Sequence, residues 1–115
     1  MINWFKGKAK GPDFSGIDSR EKAEAAAKQG HLVPVLLMPK EFGGVPDGLN
    51  VVFVPAWAAE QKQRIDQGTI LPLAQEGKIT KYSATPAYKG KSFIPSSITV
   101  HAHEPANFTA TVEIW

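Results

Sequence analysis

The sequence predicts an α+β fold in which an antiparallel sheet packs against two helices. Three observations lead to this prediction: an alanine-rich helical segment near the N-terminus, a second helical segment interrupted by glycine and proline, and alternation of apolar and polar residues through the C-terminal part. A chain of 115 residues has the usual length of one domain. We therefore predict an N-terminal arm over residues 1–17, where glycines are frequent, and a single α+β domain over residues 18–115.

The first helix is predicted over residues 19–29. Asp18 followed by Glu21 has the spacing of an N-cap with its reciprocal partner. Several alanines between them and Gly30 favour helix, and Gly30 is suited to end it.

Two short apolar runs follow, over residues 33–38 and 49–54, and they predict a hairpin with a long connection. A glycine pair at 43–44 and a Pro-Asp-Gly turn at 46–48 lie between the runs. Pro34 lacks the N–H that a central strand needs, so it indicates an edge strand or a strand that starts after it.

The second helix is predicted over residues 56–67, with Pro55 in a position suited to its first turn. Gly68 and Pro72 then predict a break or kink, because the proline ring clashes with the carbonyl of the residue four positions earlier. The apolar spacing places one set of side chains inward and the charged set largely outward. The inward set is Trp57, Ala58 and Ile65, and the outward set is Glu60, Lys62, Arg64 and Asp66.

The C-terminal part predicts a three-stranded antiparallel meander, with strands over residues 79–88, 93–103 and 107–115. A three-residue turn at 104–106 fixes the register of the last two strands and gives each strand one apolar and one polar face. The predicted apolar pairs are Ala102–Phe108, Val100–Ala110 and Ile98–Val112, and the predicted polar pairs are His103–Asn107, His101–Thr109, Thr99–Thr111 and Ser97–Glu113.

Composition excludes several kinds of site. The chain has no cysteine, which excludes disulfides, cysteine-bound metals and thiol chemistry, and fits a reducing compartment. No apolar run approaches the length of a signal peptide core or a membrane span, so we expect a cytoplasmic protein without membrane attachment. No motif for nucleophilic catalysis or paired carboxylates is present, and no cofactor is expected.

The leading functional hypothesis is a non-catalytic module that binds another protein. Its candidate surface is the polar face of the meander, together with the acidic residue and the aromatic residue beside the glycine pair. The candidate residues are His101, His103, Thr109, Thr111, Glu113, Glu41 and Phe42. An unpaired edge strand leaves homodimerisation as a further expectation.

Two alternatives remain open from the sequence. Residues 78–93 form a basic hairpin suited to single-stranded nucleic acid, although the segment has no arginine. Its candidate residues are Lys78, Lys81, Tyr82, Tyr88, Lys89 and Lys91. The other alternative is a metal-dependent enzyme that uses His101 and His103, for which the sequence supplies no evident third ligand, so no metal site is predicted.

Four segments, over residues 37–44, 50–55, 75–78 with Tyr82, and 90–95, resemble a group of small uncharacterised bacterial proteins. Some members of this group lie near toxin–immunity cassettes. The resemblance implies a bacterial protein with an immunity-like inhibitory role, and it implies no catalytic residues.

Overall fold

The computed structural model describes residues 13–115. The helices are α1 (Arg20–Lys28), α2 (Ala56–Ile65) and α3 (Leu71–Gln75), with a π-helical turn (Asp66–Ile70) joining α2 to α3. The strands are β1 (Val33–Leu36), β2 (Val51–Val54), β3 (Ile79–Tyr88), β4 (Pro95–Pro105) and β5 (Asn107–Glu113). These elements confirm the α+β prediction, with β1 and β2 forming one antiparallel sheet and β3, β4 and β5 another.

Helix α1 begins one residue later than the predicted capping box requires. Ser19, rather than Asp18, is the N-cap, and its side-chain oxygen accepts a hydrogen bond from the Lys22 N–H at 3.2 Å. The Asp18 carboxylate instead pairs with the Lys22 ammonium at 2.9 Å. At the other end, Gly30 has φ 87°, the left-handed conformation for which glycine is suited.

The predicted hairpin is present as β1 and β2, with Val33 opposite Val54 and Leu36 opposite Val51. Because only β2 pairs with β1, the edge position predicted for Pro34 is confirmed. The connection between the strands is held by the Asn50 side chain, whose amide oxygen accepts from the Met38 N–H at 2.8 Å. This bond satisfies backbone groups in a segment that has no strand partner.

The kink predicted at Gly68 and Pro72 is confirmed and takes the form of the π-helical turn. The Leu71 N–H donates to the Asp66 carbonyl five residues earlier, and this wider turn accommodates Pro72 at the start of α3. The predicted inward set and the predicted outward set are each wrong in part. Lys62 is 1% exposed and Asp66 is 5% exposed, whereas Trp57 is 46% exposed. The two charged residues are buried because each is bound by the other.

The C-terminal meander has the predicted topology, β3–β4–β5, and the predicted register. Val100 lies opposite Ala110, His101 opposite Thr109, and Ser97 opposite Glu113. Val100 and Val112 are fully buried. The three-residue turn and the period of two along each strand therefore place the apolar side chains on one face, which α2 and β2 help to cover.

The predicted arm extends over residues 1–17, of which residues 1–12 lie outside the described part of the chain. The Phe14 ring meets Trp115 edge-on, with ring centroids 5.8 Å apart. The Ser92 hydroxyl donates to the Phe14 carbonyl at 2.8 Å, so residues near position 14 lie against the C-terminal sheet. No helix within residues 13–115 combines the length and the apolarity needed to cross a membrane.

Candidate functional site

The exposed side of the C-terminal sheet carries a continuous set of polar side chains, which we call the polar face. It is formed by alternate residues of three neighbouring strands, because side chains separated by two positions lie on the same side of a sheet. Its members are Lys81, Ser83 and Thr85 of β3, Ser97, Thr99, His101 and His103 of β4, and Asn107, Thr109, Thr111 and Glu113 of β5. Five of the seven predicted partner-binding residues belong to it.

The two histidines of the polar face are held in place by their neighbours. Their rings stack with centroids 4.4 Å apart and planes at 12°. His101 Nε2 lies 2.7 Å from Asn107 Oδ1, and His103 Nδ1 lies 4.0 Å from a carboxylate oxygen of Glu104. Such contacts reduce the entropy that these side chains lose when a partner binds.

Metal-ligand geometry is not found in the part of the chain that the structure describes. Within residues 13–115, no group of three His, Asp or Glu side chains is arranged to hold a metal ion. The imidazole rings of His101 and His103 lie side by side, but no third ligand among residues 13–115 is positioned to complete a site with them.

The residues of the predicted nucleic-acid surface are spread over different parts of the molecule. Lys78 and Lys89 flank opposite ends of the ten-residue strand β3, which places them roughly 36 Å apart at about 3.3 Å per residue. Lys81 lies on the polar face and pairs with Glu104 at 3.4 Å, whereas Tyr82 lies on the apolar side of the same strand.

At the far end of β3, Tyr88 is 47% exposed and the Lys89 ammonium lies 5.0 Å from the centre of a Trp115 ring. Lys91 is also exposed. The six residues of the set therefore do not form one surface on which bases and phosphates could bind together.

Glu41 and Phe42 lie in a short 3-10 turn after β1, away from the polar face. Glu41 is exposed and accepts a hydrogen bond from the Gln67 side-chain amide at 3.0 Å. Phe42 packs on Tyr82, with ring centroids 5.0 Å apart. These two residues join the segment between β1 and β2 to the π-helical turn and to β3.

Glu41 also borders a groove between β1 and α2, which we call the β1–α2 groove. Its volume is about 330 Å³, within the range of small-ligand and side-chain pockets. One wall of the groove is β1. The other wall is one side of α2 and of the π-helical turn, where successive residues three and four positions apart lie next to each other. This second wall consists of Ala59, Lys62, Gln63, Asp66 and Gln67.

A buried network lies under this groove. Lys62 Nζ donates to Asp66 Oδ2 at 2.6 Å and to the Tyr82 hydroxyl at 3.1 Å. The Tyr82 hydroxyl in turn donates to Asp66 Oδ1 at 2.7 Å, and it lies 3.2 Å from the Leu37 carbonyl oxygen. The network joins α2 to β3 and to the chain that leaves β1.

Burial dominates the electrostatics of this network. Burial lowers the pKa of the Lys62 ammonium, and the hydrogen bond and charge of Asp66 act in the opposite direction. Burial also raises the pKa of the Tyr82 phenol, and the same carboxylate adds to that shift. A lysine whose pKa is lowered can act as an amine nucleophile when a substrate reaches it. Lys62, however, is 1% exposed and its ammonium is bound by Asp66 and Tyr82, so the geometry gives it a positioning role.

The sequence pattern alone does not predict that Lys62 and Asp66 are buried. A charged pair four residues apart on a helix is typical of an exposed ion pair, and nothing in the local sequence indicates burial. The one available signal is Tyr82, a polar aromatic residue at an apolar position of the alternating strand β3, which requires a buried partner for its hydroxyl.

Comparison of the chain with protein-family models, with curated proteins and with solved structures gives no match.

Proposed function

We propose that this chain is a non-catalytic module that binds another protein through the polar face. The observation that carries the proposal is the continuity of this face over three strands in register, while Ile98, Val100 and Val112 on the opposite side of the sheet are buried in the core. Hydrophilic residues on a rigid sheet give a partner fixed donors and acceptors.

The polar face offers aromatic and hydroxyl anchors rather than a pocket for a substrate. The stacked imidazoles lie on the central strand β4 toward the turn at 104–106, and the Thr99 and Thr111 hydroxyls lie 3.3 Å apart further along the face. Three strands about 4.8 Å apart and seven residues long cover roughly 350 Å². Because a stable interface buries about 800 Å² on each partner, the partner must also contact the rim of the face.

An immunity-like inhibitor of a bacterial protein is the form of this function that we favour. It rests on the resemblance of the four segments described above, and the absence of cysteine agrees with a cytoplasmic setting. A rigid binding surface is sufficient for such inhibition, because occlusion of a partner needs no chemistry from the inhibitor.

The test is capture of a partner with matched variants of the tagged full-length chain. The wild type, a polar-face variant with His101→Ala and Thr111→Arg, and a control variant with Lys28→Ala on α1 are each used to purify proteins from the source cells. We expect one protein to be retained by the wild type and the control and to fall about ten-fold with the polar-face variant, corresponding to about 1.4 kcal/mol. Equal retention by all three variants would refute the proposal. Inhibition of that protein by equimolar wild-type chain tests the immunity-like form.

A further inference from the structure

The outer edge of β1 has backbone groups without a strand partner. In the β1–β2 ladder, the Leu37 N–H donates to the Asn50 carbonyl at 2.8 Å. In an antiparallel pair, the backbone N–H and C=O groups of successive residues point alternately toward the partner strand and away from it. Those of Val33, Val35 and Leu37 therefore point toward β2, and those of Leu36 point away from it. No backbone group of another element within residues 13–115 bonds to Leu36 from that side.

Pro34 occupies the other outward position of this edge. It offers a carbonyl but no N–H, so the edge presents one donor, from Leu36, and two acceptors. The proline also limits how long a strand the edge can pair with, which is a known means of preventing indiscriminate edge pairing.

The free edge faces the β1–α2 groove. Pro34, Val35 and Leu36 form one wall, and Ala59 is the apolar residue of the other. A strand bound to the edge of β1 would therefore lie between a strand and a helix, with space for one apolar side chain in the groove.

Four charged residues line the groove, namely Lys40, Glu41, Lys62 and Asp66, and of these Glu41 offers a carboxylate to a bound peptide. Lys62 and Asp66 neutralise each other at 2.6 Å. Glu41, at the mouth, is exposed, and the hydrogen bond it accepts comes from the uncharged amide of Gln67. A basic residue next to the apolar one would pair with this carboxylate, because the Gln67 amide that donates to Glu41 carries no opposing charge.

We propose that the β1–α2 groove binds an extended peptide segment of another protein by β-strand addition to β1. The segment hydrogen-bonds to the Leu36 N–H and C=O, inserts an apolar side chain between β1 and α2, and places a basic side chain at Glu41. This site is separate from the polar face and does not depend on it.

The experiment starts from phage-displayed random peptides selected on the immobilised full-length chain. The most enriched peptide is synthesised, its affinity is measured by fluorescence anisotropy, and its site is mapped by backbone NMR with amide hydrogen exchange. Leu36→Pro removes the outward N–H and leaves the donors used in the ladder with β2 intact. Leu36→Ala is the matched control, because it removes the same side chain and keeps the N–H.

We expect enriched peptides to combine an apolar and a basic residue, to shift the Leu36 amide signal and to slow its exchange. Leu36→Pro should weaken binding about ten-fold relative to Leu36→Ala, and Glu41→Gln should weaken binding of the basic peptide. If Leu36→Pro fails to fold, the change in Leu36 exchange in the wild type decides the question. Absence of enrichment, signal shifts confined to other surfaces, equal affinities of the two Leu36 variants, or a dimer of the chain that Leu36→Pro dissociates would each overturn the proposal.

Discussion

Removal of one member of the buried network should be far more damaging than removal of both charges. Asp66→Ala leaves the Lys62 ammonium in an interior where its side chain is 2% exposed and the Tyr82 hydroxyl is its one remaining partner among residues 13–115. Breaking a buried ion pair in this way costs about 3–5 kcal/mol. We expect a loss of that size in the free energy of unfolding.

The double variant Lys62→Met and Asp66→Ala should recover much of this loss. Methionine has an unbranched chain like lysine and fills the same space without a charge. The Tyr82 hydroxyl keeps an acceptor, because the Leu37 carbonyl oxygen lies 3.2 Å away. The double variant should therefore be more stable than Asp66→Ala, with a coupling free energy of at least about 2 kcal/mol between the two positions.

The assay is urea unfolding followed by tryptophan fluorescence for the wild type, both single variants and the double variant. Unchanged m-values would show that the stability differences arise in the folded state. A loss below about 1 kcal/mol for Asp66→Ala, or strictly additive effects, is typical of an exposed ion pair. Either result would refute burial of the Lys62–Asp66 pair.

Three further predictions concern other positions. Because the pKa of the Tyr82 phenol is raised in the folded state, the folded chain keeps the phenol proton above pH 10.0, where the unfolded chain loses it. The free energy of unfolding should therefore fall as the pH rises above 10.0. Tyr82→Phe should reduce this pH dependence, measured by urea unfolding at alkaline pH. Gly44→Ala should destabilise the folded chain by about 1–3 kcal/mol or more, because the added Cβ would lie 1.8 Å from the Met38 carbonyl oxygen. Gly68→Ala is the control, because an added Cβ there would have no atom within 4 Å. In thermal unfolding, Gly68→Ala should be neutral or stabilising. Ser19→Ala should cost about 1 kcal/mol as loss of an N-cap, and Asp18→Ala, which removes an exposed ion pair, should have little effect in the same measurement.

The sheet could be predicted from sequence in detail because its signals are local and mutually consistent. Alternation along β4 and β5 assigns a face to each residue, and a short turn between them leaves one register that keeps Val100 and Val112 inward. Pro34 similarly indicated an edge strand from its missing N–H alone.

The buried network could not be predicted in this way because its members come from distant parts of the chain. Helical periodicity treats Lys62 and Asp66 as outward, and their burial depends on Tyr82, which is 20 residues from Lys62. The N-cap of α1 was misassigned for a different reason, since Asp18 and Ser19 are both good capping residues and only backbone geometry distinguishes them.

The most direct test of the proposed function is protection of the polar face by the captured partner. Because the chain has no cysteine, Thr111→Cys introduces a single thiol on this face and Lys28→Cys introduces one on α1 as a control. Maleimide labelling of each variant is timed with and without the partner. The proposal predicts strong slowing for Thr111→Cys and none for Lys28→Cys, whereas an unchanged rate at position 111 in the bound state would contradict it.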